Sequence, residues 1–177
     1  DPVHRVTIIP RSIGALGATL QLPTQDRYLV VKQELRDRIC VMLGGRAAEE
    51  VIFNEISTGA QNDLERTTET ARQMVCRFGM SEKLGPQTFG SPAGSRFLAA
   101  PVSLGDSRNF SEATARLIDN EVRSIVEGEH ARARKLLEDQ RELLEAIAER
   151  LLIDETLDRG DLEELVALHR KAPGTGD

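Results

Sequence analysis

The sequence predicts a mostly α-helical fold with a small two-stranded β element near the amino end. Three observations carry that expectation. Beyond residue 30, apolar residues recur at i, i+4, i+7 and i+8 in several long stretches, the spacing of one helical face. Hydrophobic residues make up 40% of the chain but aromatic ones only 3%, with no Trp, so the core must be built from Leu, Ile, Val and Ala. Two short runs before residue 30, the first β-branched and the second weakly alternating, each end at a proline, Pro10 or Pro23.

The elements follow in order. His4-Arg5-Val6-Thr7-Ile8-Ile9 reads as a strand stopped by Pro10, and Ala18-Thr19-Leu20-Gln21-Leu22 as its antiparallel partner and a candidate edge. The first long helix is expected over 31–53, on the stripe Leu35, Ile39, Met42, Leu43, Ala47 and Val51. Gly44-Gly45 sits inside it, at a cost of about 1 kcal/mol per Gly relative to Ala, so either another helix packs closely there or the helix breaks and restarts.

A second helix opens in Ser57-Thr58-Gly59-Ala60-Gln61-Asn62-Asp63-Leu64-Glu65 and continues through Ala71 and Val75 to about Phe78, with Gly79 placed for a left-handed cap. Thr58 with Gln61, or Asn62 with Glu65, can form a capping box. Asp63 lies in the first turn, where the helix macrodipole favours negative charge. Local sequence alone favours reading it as an ordinary helix start over a ligand.

Residues 81–110 lack sustained periodicity, contain Gly85-Pro86, Gly90-Ser91-Pro92 and Pro101, and read as an irregular linker between two lobes, 1–80 and 111–171. Ser111 is a good N-cap for a helix over 112–139, with Ile118, Val122, Ile125, His130 and Ala133 on its stripe. Asp139 with Glu142 can cap the next helix, whose face is Leu143, Leu144, Ile147, Leu151 and Leu152. A short helix over 161–171 and a disordered tail over 172–177 complete the chain.

At 177 residues the chain can bury one sizeable core or two small ones. A net charge of −6 counts against nucleic-acid binding. The one basic cluster, residues 130–135, follows Glu127 and Glu129 and reads as a solvated helix face. Cys40 and Cys76 have no CxxC spacing and are expected to be buried, reduced thiols. No apolar run approaches the roughly 18 residues needed to span a bilayer. The chain opens Asp1-Pro2 with no Met, as a piece of a longer protein would.

No HExxH, GxSxG, GxxxxGK[ST] or CxxC occurs, and the three histidines are scattered, each more readily a packing residue than a ligand. Composition and spacing by themselves do not say what the chain does.

Longer words do. Val6-Thr7-Ile8-Ile9-Pro10-Arg11, Ala15-Leu16-Gly17, Gln21-Leu22-Pro23, Leu43-Gly44-Gly45-Arg46-Ala47-Ala48-Glu49-Glu50, Ser57-Thr58-Gly59-Ala60-Gln61-Asn62-Asp63 and Phe78-Gly79-Met80-Ser81-Glu82-Lys83-Leu84-Gly85-Pro86 occur in one order. That order resembles the FtsH-type ATP-dependent zinc metalloproteases, strongly over residues 1 to about 90 and more weakly through 111–170. The resemblance implies a helical zincin-type peptidase domain, its metal-side lobe at 1–80, from a membrane-anchored AAA+ protease that assembles as a homo-hexamer and degrades protein substrates. It places the peptidase domain on the cytoplasmic, or organellar matrix or stromal, side. It makes Asp63 a zinc ligand, beside two histidines and a general-base glutamate from an HExxH helix upstream of this chain. Zinc held that way keeps a position open for water and lowers its pKa towards about 7.

Glu49, in the Gly-Arg-Ala-Ala-Glu-Glu segment, then either orients a ligating histidine or lies on a solvated face; Arg46 can pair with Glu49 or Glu50. Gly17, Ala18 and Thr19 become a candidate edge for binding an extended substrate, against the plainer reading of an ordinary hairpin. Lacking the histidines and the base, this chain is expected to be inactive alone, with ATP handled in a separate module. The alternative is a catalytically silent oligomerisation or scaffold module of the same family.

Overall fold

The computed structural model describes residues 2–10, 17–21, 29–90 and 110–169. They form β1 (Val3–Thr7), β2 (Ala18–Gln21), α1 (Lys32–Phe53), a 3-10 turn (Thr58–Ala60), α2 (Gln61–Cys76), α3 (Glu112–Asp139), α4 (Arg141–Asp154), β3 (Thr156–Asp158) and α5 (Arg159–His169). The mostly helical class holds. The β element has three strands rather than two, in the order β2-β1-β3, both pairings antiparallel.

Two compact units divide the chain, residues 30–136 and residues 1–29 with 137–177. This division runs differently from the lobes read along the sequence, because β1 pairs with β3 some 150 residues away. Local periodicity carries no trace of such a pairing.

In the 30–136 unit, Leu35, Ile39 and Leu43 of α1 meet Ala71, Met74 and Val75 of α2 and Ile118 and Val122 of α3 in one buried cluster. Leu84 joins it from the segment after α2, so residues 81–90 are packed structure rather than open linker. Phe89 donates its N–H to the Cys76 carbonyl at 2.8 Å and stacks edge-on against Phe110, ring centres 6.0 Å apart. The remainder of the expected linker, 91–109, lies outside the described residues, as do the loop at 11–16, the turn at 22–28 and the tail.

Helix α1 runs unbroken through Gly44-Gly45, and a Cβ at either glycine would meet nothing within 4 Å among the described residues. Neither expectation for that pair holds. Gly79 does take φ +60°, and around it the Phe78 N–H donates to the Gln73 carbonyl at 3.0 Å and the Met80 N–H to the Met74 carbonyl at 2.9 Å, closing the helix end. Ser111 caps α3 by accepting the Thr114 N–H at 3.2 Å. Asp139 does not cap α4. Helix α3 extends through it, and Gln140 occupies the cap position without a side-chain bond.

Arg132, Arg134 and Lys135 of the basic cluster are exposed, as expected of a solvated face, but the glutamate just before the cluster is not. Glu129 is buried on α3, where Arg36 Nε reaches Oε1 at 2.5 Å and Arg132 Nη1 reaches Oε2 at 2.9 Å. Arg132 Nη2 bonds Asp37 at 2.6 Å and holds that carboxyl below its ordinary range, helped by Gln33. Cys40 is buried but Cys76 only half-buried; burial pushes both free thiols up.

In the other unit, Glu155 ends α4 in the left-handed region at φ 58° and turns the chain into β3. Thr7 and Thr156 share a hydroxyl contact of 2.9 Å, and Leu157 is fully buried, anchoring the third strand. Asp158 then starts α5 two residues earlier than expected. Its Oδ1 accepts the Gly160 and Asp161 N–H groups, while Asp161 Oδ2 accepts the Asp158 N–H at 2.9 Å, a reciprocal capping box.

Candidate metal centre

The Asp63 turn is built from both its ends. Upstream, the buried Ala47 fixes the last turns of α1 against their neighbours, and Asn54 at φ 53° ends the helix with its N–H on the Glu50 carbonyl at 3.1 Å. Arg46 pairs with Glu50 at 3.3 Å, so of its two acidic neighbours the i+4 residue takes the guanidinium. Glu49 is left free to face the connection beyond Asn54.

There it meets Ser57. The Ser57 hydroxyl donates to Glu49 Oε1 at 2.7 Å and the Ser57 N–H donates to Oε2 at 2.8 Å. Ser57 Oγ in turn accepts the Gly59 N–H at 3.1 Å and opens the 3-10 turn Thr58–Ala60. These bonds, the hydroxyl's first, hold the Glu49 carboxyl below its ordinary range, with Arg46 adding a smaller pull. Neither capping box read from the sequence forms: Gln61 Nε2 bonds the Glu65 side chain at 3.1 Å instead. The helix start is a serine-led turn clamped from α1.

Downstream, Thr67, Ala71, Met74 and Val75 bury one face of α2 and set its rotation. Asp63 stands in the first turn, half-buried, and its carboxylate has no hydrogen bond or ion pair among the described residues. One turn on, the Thr67 hydroxyl is fully buried and also lacks a partner there. A helix-borne carboxylate with free lone pairs suits one oxygen ligand of a cation. It is not a whole site. Among the described residues no three His, Cys, Asp or Glu side chains gather where they can hold a metal ion. The donors present therefore do not fit a zinc site by themselves.

The structure thus brings Asp63 and Glu49 to the same end of the α1–α2 pair. Ser57, which joins them, was passed over in the sequence as part of a helix start; serine followed two residues later by glycine was the available signal. Ala18 and Thr19 fall in the other unit, on the edge strand β2 of the described sheet, with Gly17 just before it; Leu20 of that strand is 49% exposed and therefore not anchored in a core. Gly17 also has a plain structural role, since a Cβ there would lie 2.7 Å from the Thr7 carbonyl oxygen. His130 sits with Nε2 shielded from solvent and 3.2 Å from Glu50 Oε2, and His169 Nδ1 contacts the Leu165 carbonyl at 2.9 Å. His169 thus contacts its own helix, while His130 reaches from α3 to α1.

The chain is 52% identical over 166 residues to the ATP-dependent zinc metalloprotease FtsH of Pseudothermotoga lettingae, covering 94% of this chain and 26% of that protein. It is 51% identical to FtsH 3 of Petrotoga mobilis, covering 94% and 25%, and 48% identical to FtsH of Methylococcus capsulatus, covering 94% and 26%. The chain thus spans about a quarter of the length of the curated relatives it matches. The model of Peptidase family M41 matches residues 1–165, and the chain belongs to that family.

Proposed function

We propose that this chain works as the peptidase domain of an ATP-dependent zinc metalloendopeptidase acting on unfolded or membrane proteins, with Asp63 supplying one oxygen ligand to the zinc. One observation carries the assignment: in a chain of Peptidase family M41, Asp63 is a half-buried carboxylate on a clamped first turn, unpartnered among the described residues. Its partners are an HExxH helix outside this chain, which brings two histidines and the general base. ATP hydrolysis belongs to a separate AAA+ module. The hexamer and the membrane anchor also involve segments outside this chain; no described helix is long and apolar enough to cross a membrane. The side of β2 that has no partner strand among the described residues, at Ala18 and Thr19 with Gly17 before them, suits main-chain bonding to an extended substrate.

Two measurements test this. Titration of this chain with zinc should give no one-equivalent isotherm, and a clear one abolished by Asp63→Ala overturns the reading. In the full-length protein, Asp63→Ala should remove bound zinc and ATP-dependent degradation of an unfolded protein while leaving ATP hydrolysis. Retention of zinc and degradation would refute Asp63 as a ligand.

A scaffold role has one observation in its favour. Leu152 and Ile153 on α4 are each 76% exposed and Leu168 on α5 is 72% exposed, large apolar side chains that subunit contact would cover. An intact full-length protein that forms hexamers but never degrades substrate would decide for it.

A further inference from the structure

We infer that Glu49 is a positioning residue for Asp63: acting through Ser57 and the 58–60 turn, it fixes the direction in which the Asp63 carboxylate is presented. This rests on the reading of Asp63 as the functional carboxylate.

The donor set at Ser57 dictates the residue type opposite it. Ser57 offers two donors, its hydroxyl and its backbone N–H, and both point at one side chain, at 2.7 and 2.8 Å. A carboxylate presents two acceptor oxygens to such a pair. Glutamine presents one acceptor and one donor, so the Ser57 N–H and hydroxyl cannot both donate to it, and the hydroxyl must turn to accept from the amide. Aspartate lacks a methylene of reach.

The clamp then passes on. Ser57 Oγ gives its one hydrogen to Glu49 and accepts the Gly59 N–H at 3.1 Å. A Cβ at Gly59 would sit 3.2 Å from Ser57 Oγ and 3.9 Å from Glu49 Oε1, so the turn closes tightly over the carboxylate. Ala60, the residue before α2, is buried and contributes no side-chain cap bond. The side-chain anchorage of this helix start therefore comes from Ser57 and, behind it, Glu49. Asp63 lies four residues past Gly59, within the turn whose course this relay sets.

The experiment uses this chain, with amide hydrogen exchange and the carboxyl-carbon resonance of Asp63 read by NMR. Glu49→Gln should speed exchange at Ser57, Gly59 and Gln61, whose N–H closes the 58–60 turn on the Thr58 carbonyl, by about tenfold or more, the size expected for loss of one hydrogen bond to a charged acceptor. It should shift the Asp63 resonance while leaving Ala71 and Val75 amides at their wild-type rates. Ser57→Ala should move Asp63 in the same direction, and Ser57→Thr, which keeps both donors, should behave as wild type. An unmoved Asp63 resonance in Glu49→Gln overturns the inference, as does exchange that rises equally across the core. Neither readout involves metal. A failure here leaves the zinc reading standing, and a failed zinc test in the full-length protein leaves this result intact.

Discussion

Glu129 gives the sharpest energetic test, because its two sides are unequal. The carboxylate is 1% exposed, while its partners Arg36 and Arg132 are 41% and 42% exposed. Removing the arginines strands a charge that cannot reach water; removing the glutamate frees two guanidiniums that can. The double variant Arg36→Met with Arg132→Met should therefore lose about 3–5 kcal/mol, the cost of leaving a buried charge unpaired. Glu129→Leu keeps the volume and removes the charge. It should cost no more than about 1 kcal/mol, since Arg132 retains Asp37 and both arginine heads hydrate. Arg36→Met alone should fall between, about 1–2 kcal/mol, because a hydrogen bond to a charged group is discounted when its donor is largely exposed. Urea unfolding followed by circular dichroism at neutral pH ranks the three through their midpoints and slopes. If Glu129→Leu is as damaging as the double arginine variant, the asymmetry argued from exposure is wrong. The same holds if the double variant stays within about 1 kcal/mol of wild type.

Three further predictions follow from the geometry. Gly44→Ala and Gly45→Ala should each stabilise by about 0.4–1 kcal/mol, because the added methyls meet no described neighbour and unfolded-chain entropy falls; a lower thermal midpoint for either would show a close contact on that face. Gly79→Ala should destabilise by about 1–3 kcal/mol, combining a left-handed φ of +60° with a Cβ placed 3.1 Å from Pro86 Cα; Gly79→Asn eases the first problem and keeps the second, so it should recover only part in urea unfolding. Glu121 is held below the ordinary carboxylate range mainly by Lys83 at 2.6 Å and also by Ser81 at 2.8 Å. Its folded value is depressed, so its contribution is present above the unfolded carboxylate value and is lost as pH falls through the folded one. The stability gap between wild type and Glu121→Gln should close in acid, and a gap constant with pH would contradict the pairing.

What sequence alone settled was whatever depends on neighbours along the chain. The bounds of α1 and α3, the Ser111 cap and the left-handed Gly79 were legible because helical period, capping chemistry and positive φ are local properties. So was the family, whose long words are collinear. Tertiary structure decided the rest. β3 and its pairing with β1 join residues about 150 positions apart, and three residues around Leu157 carry too short a pattern to announce a strand. Glu129 shows the same limit from the other side. It lies on the α3 stripe between Val122 and Ala133, but its partner Arg36 is on α1, so its charge read as solvated until the two helices met. Glu49 was suspected for the metal side and found holding Ser57, eight residues on, because a helix end and a turn fix that distance only once both are folded.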